Sequence, residues 1–137
     1  METPQFDRLV ARLLALGLPT DSFAVFGSGP LAVRGLRDTA DIDLLVTLAL
    51  WDELAEHFPV EETPTGPLLR LEEGIDAFRT WHPPVGPTAD LVARAELIGG
   101  LPYVRLEWVL LWKQRRDLPK DRADVEVLRQ VLGEAVR

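Results

Sequence analysis

Two short apolar runs, Phe23–Phe26 and Ile42–Val46, constrain this chain more than anything else in it, because each is bounded by turn-forming residues. Runs of that length read as buried strands, since a buried helix needs about ten residues or more. Between them, Leu31 to Leu36 can form only a short helix. Upstream, Phe6, Leu9, Val10, Leu13 and Leu14 recur at helical spacing, with Thr3 as N-cap, Pro4 as first helical residue and Gly17 as stop. Trp51 to Phe58 is helical. Val60–Glu62, Leu68–Leu71 and Ile75–Phe78 read as strands, separated by the Thr63-Pro64-Thr65-Gly66-Pro67 turn and by Gly74. Trp81 to Thr88 is a proline-rich loop. Leu91 to Leu97 fits helix or strand equally, and Gly99-Gly100 breaks whatever it forms. Leu106–Arg116 and Pro119–Val136 are two closing helices. The order predicts an α/β (α+β) fold: a small mixed sheet with helices packed on it, in one domain over residues 1–137.

Composition narrows the chemistry. The chain has 137 residues, no cysteine and two histidines, His57 and His82. Disulfides, zinc–cysteine sites and thiol nucleophiles are excluded, so metal binding falls to carboxylates. With 15 basic and 22 acidic side chains the net charge is −7, which disfavours non-specific binding to a nucleic-acid backbone. No apolar run approaches the ~20 residues that span a bilayer, and Met1 to Asp7 carries acid where a secretory leader carries base. The expectation is a cytoplasmic protein with no membrane partner. The charge is also uneven. Residues 1–104 hold 7 basic and 16 acidic side chains (−9), and residues 105–137 hold 8 basic and 6 acidic (+2).

The most informative segment is FGSGPLAVRGLRDTADIDLLV, Phe26 to Val46. It puts Gly27-Ser28 at the end of one strand and Asp41-Ile42-Asp43 at the start of the next. Alternation along a strand projects Asp41 and Asp43 to one face about 6 to 7 Å apart, leaving Ile42, Leu44 and Val46 for the core. Two carboxylates on one face repel each other unless a cation sits between them, and magnesium, which prefers carboxylate and phosphate oxygens, suits that position. Gly27-Ser28-Gly29 offers backbone N–H groups, and Pro30 opens a helix, so a phosphate can lie beside the metal. Each half has an ordinary reading alone, as a solvated strand end or a simple turn. Together on adjacent strands they are specific.

In these residues the sequence resembles the DNA polymerase beta-like nucleotidyltransferase superfamily, marked by a Gly-Ser or Gly-Gly pair followed by Asp-x-Asp. Here twelve residues, Gly29 to Ala40, intervene. Arg34-Gly35, Arg37, Thr39 and Leu44-Leu45-Val46 are similar to its small bacterial branch of antibiotic-modifying and toxin-like members. The resemblance implies a nucleotidyltransferase-like fold and a third carboxylate on a later strand, which Asp76 supplies within Glu73 to Phe78. It also implies that Asp41, Asp43 and Asp76 hold two magnesium ions, that Asp76 takes the acceptor proton, and that Gly27 and Ser28 hold phosphate.

The closing helices add a charge anomaly. Lys113 follows Leu106, Val109 and Leu110 at i+7, i+4 and i+3, so it lies on their apolar stripe. Asp124 lies on the stripe continuing through Leu128, with Asp121 one turn earlier. Buried charges need partners, so a Lys113–Asp124 ion pair would tie the helices together. Alternatively, Lys113 reaches the triphosphate and Asp124 orients it. Lys113, Lys120, Asp121 and Asp124 are similar to a Lys-Asp-x-x-Asp pattern in the same branch. Neither histidine stands in ligand spacing to the other. Trp51, Trp81, Trp108 and Trp112 read first as core or rim residues, and Trp81, in its proline-rich loop, is the candidate for a base-stacking platform.

The resemblance implies transfer of a nucleoside monophosphate from a nucleoside triphosphate such as ATP to an acceptor hydroxyl by two-metal catalysis. The acidic surroundings favour a small-molecule or protein acceptor over nucleic acid, with the Lys113 to Arg122 stretch as the counter-argument. Acceptor contacts on loops or on a second subunit allow a homodimer or a partner protein. The alternative is an inactive nucleotide-binding or partner-binding, antitoxin-like module, against which the intact Asp41, Asp43 and Asp76 argue.

Overall fold

The computed structural model of the protein describes residues 4–136. Its elements in chain order are α1 (Gln5–Leu16), β1 (Phe23–Phe26), α2 (Gly29–Ala32), β2 (Ile42–Val46), α3 (Leu48–Ala55), β3 (Val60–Thr63) and β4 (Gly66–Glu72). They continue with β5 (Ile75–Phe78), α4 (Thr88–Ala93), β6 (Glu96–Ile98), β7 (Leu101–Tyr103), α5 (Leu106–Arg116) and α6 (Arg122–Val136), the last preceded by a 3₁₀ turn at Pro119–Asp121.

The strands form one mixed sheet in the order β3-β4-β5-β2-β1-β7-β6. β1 and β2 lie near its middle, antiparallel to each other, while β2 runs parallel to β5 and β1 parallel to β7. Side-chain alternation then sorts the core into two layers. Phe23, Val25, Ile42, Leu44, Ile75 and Ala77 face α1 and α3, and Ala24, Phe26 and Leu45 face α2, α4, α5 and α6. Because both faces are covered, β1 and β2 read as continuous apolar runs. Asp43 is the half-buried exception in β2.

α1 buries Phe6, Leu9 and Leu13 and ends at Gly17, whose φ of +65° suits glycine and whose N–H bonds the Leu14 carbonyl. The proposed Thr3 cap lies outside the described residues. The amides of Gln5 and Phe6 donate to the two oxygens of Asp38, 3.0 Å each, so a carboxylate 32 residues or more away in sequence satisfies the helix start.

Four local expectations need correction: Pro4 is the N-cap of α1 and not its first helical residue, α3 covers Leu48–Ala55 and not Trp51–Phe58, and the other two concern α2 and α6. The Leu31–Leu36 helix is shorter and earlier, ending at Ala32, and the second closing helix starts only after the Pro119–Asp121 turn. Gly99-Gly100 is the turn of a β6–β7 hairpin, with φ of +59° and +85°, and it extends the sheet beyond β1. Strands of three residues are too short to show their alternation in sequence, and so the ambiguous Leu91–Leu97 divides between α4 and β6.

Candidate active site

The site forms on the sheet face that carries the closing helices, where β1 ends and β2 and β5 begin. Asp43 is the register partner of Phe26 on one side and of Asp76 on the other. Register partners on neighbouring strands point to the same face, so Asp43 and Asp76 stand side by side. Asp41 lies just before β2 and is exposed. Burial, then the charges of Asp76 and Asp41, push the Asp43 carboxyl up to about 7 from 3.8, against a small opposing pull from Arg116.

The loop after β1 closes over this group. Gly27 has a φ of +66°, and a Cβ there would lie 2.8 Å from Asp43 Oδ2, so only glycine lets the backbone pass so near the carboxylate. Gly29 packs equally tightly on Val25, bringing α2 down onto β1. Ser28 sits at the N-cap of α2, but its side chain makes no capping hydrogen bond. Asp76 Oδ1 accepts from Arg70 Nε at 3.2 Å, a cross-strand pair between β4 and β5.

Opposite the aspartates lies a charged network. Lys113 is 2% exposed, and its Nζ lies 3.3 Å from Asp121 Oδ1 and 3.1 Å from Asp124 Oδ2. Arg116 grips Asp121 through Nε at 2.8 Å and Nη2 at 2.5 Å. Arg37, from the segment before β2, reaches Asp124 Oδ2 at 2.7 Å. Burial alone would raise the Asp121 carboxyl, but the Arg116 hydrogen bonds and the Lys113 charge outweigh it and hold it below the usual range. The Lys113–Asp124 ion pair expected from the helical stripes is therefore present, with Asp121, Arg116 and Arg37 added to it.

Between aspartates and cations is a cleft of ≈ 300 Å³ whose lining includes Gly27, Ser28, Asp41, Asp43 and Lys113. Arg37, Thr39, Trp112, Arg116, Lys120 and Asp121 line it too, whereas Asp76 and Asp124 do not, Asp124 binding Lys113 and Arg37 instead. Arg116 was legible in principle, since it follows Lys113 by three residues and shares its helix face. Among the described residues, no three His, Asp or Glu side chains close around a single point as a ready-made metal shell. In kind, the residues nonetheless fit a hard divalent cation: the donors are oxygens, and the mutual repulsion that raises Asp43 is what a bound cation relieves. His57 and His82 are both exposed. No helix among the described residues is long and apolar enough to cross a membrane.

Neither a protein-family model nor a curated protein sequence matches the chain. Among solved structures, the chain is similar to the aminoglycoside nucleotidyltransferase ANT(2'')-Ia in complex with adenylyl-2''-tobramycin. The TM-score is 0.57 at 18% identity, over 93% of this chain and 90% of the other. The fold is that of a nucleotidyltransferase. At this identity the likeness rests on architecture, so the nucleotidyltransferase fold is established by the arrangement of sheet and helices, and chemistry must be argued from the side chains.

Proposed function

We propose that the protein transfers a nucleoside monophosphate from a nucleoside triphosphate to an acceptor hydroxyl and releases pyrophosphate. The observation that carries this reading is the pairing of Asp43 with Asp76, with Asp43 lining, beside Gly27-Ser28, a cleft that also bears Arg37, Lys113, Arg116 and Lys120. Cations line that cleft beside Asp41 and Asp43, where they can offset the charge that a phosphate develops during displacement. Gly27 and Ser28 take the β- and γ-phosphates against the loop, and Arg116 and Lys113 offset their charge. Lys113 is shared with Asp121 and Asp124, so Asp124 acts by orienting it. Asp76, on leaving Arg70, accepts the proton of the attacking hydroxyl. Asp41 and Asp43, with Asp76, would hold magnesium, which when bound neutralises charge on the attacking and leaving oxygens. The −7 net charge supports a small-molecule or protein acceptor over nucleic acid.

The test follows pyrophosphate release and label transfer from α-labelled triphosphates with magnesium. Asp43→Asn is expected to lower transfer about 100-fold or more. An unchanged rate in that variant, or wild-type protein whose melting temperature ignores both nucleotide and magnesium, overturns the reading. A second reading, a nucleotide-binding or partner-binding module without turnover, is favoured by one contact: the Arg70–Asp76 ion pair occupies the third carboxylate. It predicts nucleotide binding with no pyrophosphate release, even in Arg70→Gln.

A further inference from the structure

A second cavity, of ≈ 310 Å³, opens on the other side of Asp43. It shares Asp43, Trp112 and Arg116 with the polar cleft and runs on to Phe78 and Trp81. Phe78 follows Asp76 by two residues on β5 and so lies on the same sheet face, while the cavity itself meets the reaction centre at Asp43, the register partner of Asp76. Its aromatic side chains are mutually packed. Trp81 stacks on Phe26 at 4.3 Å and 5°, and Phe78 and Trp112 meet Trp81 edge-on at 5.4 and 5.1 Å. Trp112 Nε1 donates to the His82 carbonyl at 3.0 Å, whereas the buried Nε1 of Trp81 has no partner among the described residues.

The charge lining this cavity identifies the ligand class. Asp43 is its one carboxylate and belongs to the reaction centre, while Arg116 is cationic. A polycationic aminosugar needs several carboxylates and would meet Arg116 instead. We infer that this cavity is the acceptor subsite and that the acceptor is a neutral, planar aromatic molecule bearing a hydroxyl. This rests on the transfer reading above. In the step, the acceptor oxygen bonds to the α-phosphorus while the bond to the bridging oxygen breaks. The electron pair leaves with pyrophosphate, and the hydroxyl proton passes to Asp76.

The experiment has a transfer arm and a binding arm. α-Labelled triphosphate and magnesium are incubated with 2-naphthol and 4-hydroxybenzyl alcohol, with tobramycin, or with tRNA. Binding of 2-naphthol is measured separately by calorimetry, without nucleotide. Label is expected on the aryl alcohols. Phe78→Ala should raise the acceptor KM at least tenfold while the triphosphate KM stays within twofold. Thr80→Arg, which fills the cavity mouth from an exposed position, should do the same without trimming the core. Label on tobramycin or tRNA alone overturns the inference, as does a Phe78→Ala effect confined to the triphosphate KM, which would assign the cavity to the base. Transfer to another acceptor with no naphthol binding overturns the inference and leaves the transfer reading standing. Naphthol binding that Phe78→Ala weakens tenfold, with no transfer to any acceptor, supports the aromatic subsite and overturns the transfer reading.

Discussion

Asp43 on β2 and Asp76 on β5 stand opposite each other across a parallel strand pair, on the face that carries Phe26 and Phe78. Side by side with Asp41 nearby, they set up a local excess of negative charge that folding tolerates by leaving Asp43 able to hold a proton near neutrality.

That excess makes stability depend on pH with a defined sign. Asp43 titrates near 7 in the folded protein against 3.8 ordinarily, so between those values the folded chain keeps a proton that the unfolded chain has released. Stability therefore falls as pH rises from about 4 to about 7, by on the order of 2 to 4 kcal/mol, and stays reduced above it. Asn at this position removes that component, so Asp43→Asn should be the more stable protein at pH 8 and lose its advantage at pH 4. Urea unfolding at the two pH values checks it; a variant less stable than wild type at pH 8 contradicts it.

Magnesium and protons compete for the same carboxylate. The rise in melting temperature on adding magnesium chloride should be larger at pH 8 than at pH 6 and absent in Asp43→Asn. Thermal unfolding monitored by circular dichroism reads both; an equal rise at the two pH values would place the ion elsewhere.

Gly27→Ala should reduce both stability and activity. The left-handed φ is unfavourable for alanine by about 1 kcal/mol or more, and its Cβ displaces Asp43 Oδ2. In an Asp43→Ala background the steric part vanishes, so a double-mutant cycle should show a coupling of about 0.5 to 2 kcal/mol. Additive effects would mean that the loop moves aside.

Lys113→Ala should destabilise strongly, by about 3 to 5 kcal/mol, because it leaves Asp121 and Asp124 buried without their shared cation. Arg37→Ala should change stability by less than about 1 kcal/mol, since its side chain is 42% exposed, yet raise the triphosphate KM. Chemical denaturation beside steady-state kinetics separates the two; equal stability losses would show Arg37 to be as structural as Lys113.

Much of this architecture is local and therefore legible in sequence. The runs at Phe23–Phe26 and Ile42–Val46, the Gly-Ser to Asp-x-Asp spacing and the lysine on an apolar helical stripe follow from periods of 2 and 3.6, which neighbouring residues set by themselves. Which strand lies beside which is a different kind of information. The Asp43–Asp76 register, the capture of Asp76 by Arg70 and the span from Arg37 to Asp124 join residues between 6 and 87 positions apart. They exist because, in this strand order, apolar layers cover both faces of the sheet and bring those residues together. The β6–β7 hairpin and the aromatic cavity are of the same origin. The sequence by itself determined strands β1 to β5, the acids and the buried cation; tertiary packing alone decided which acid meets which partner, because pairing depends on the burial of surfaces brought together from the whole chain.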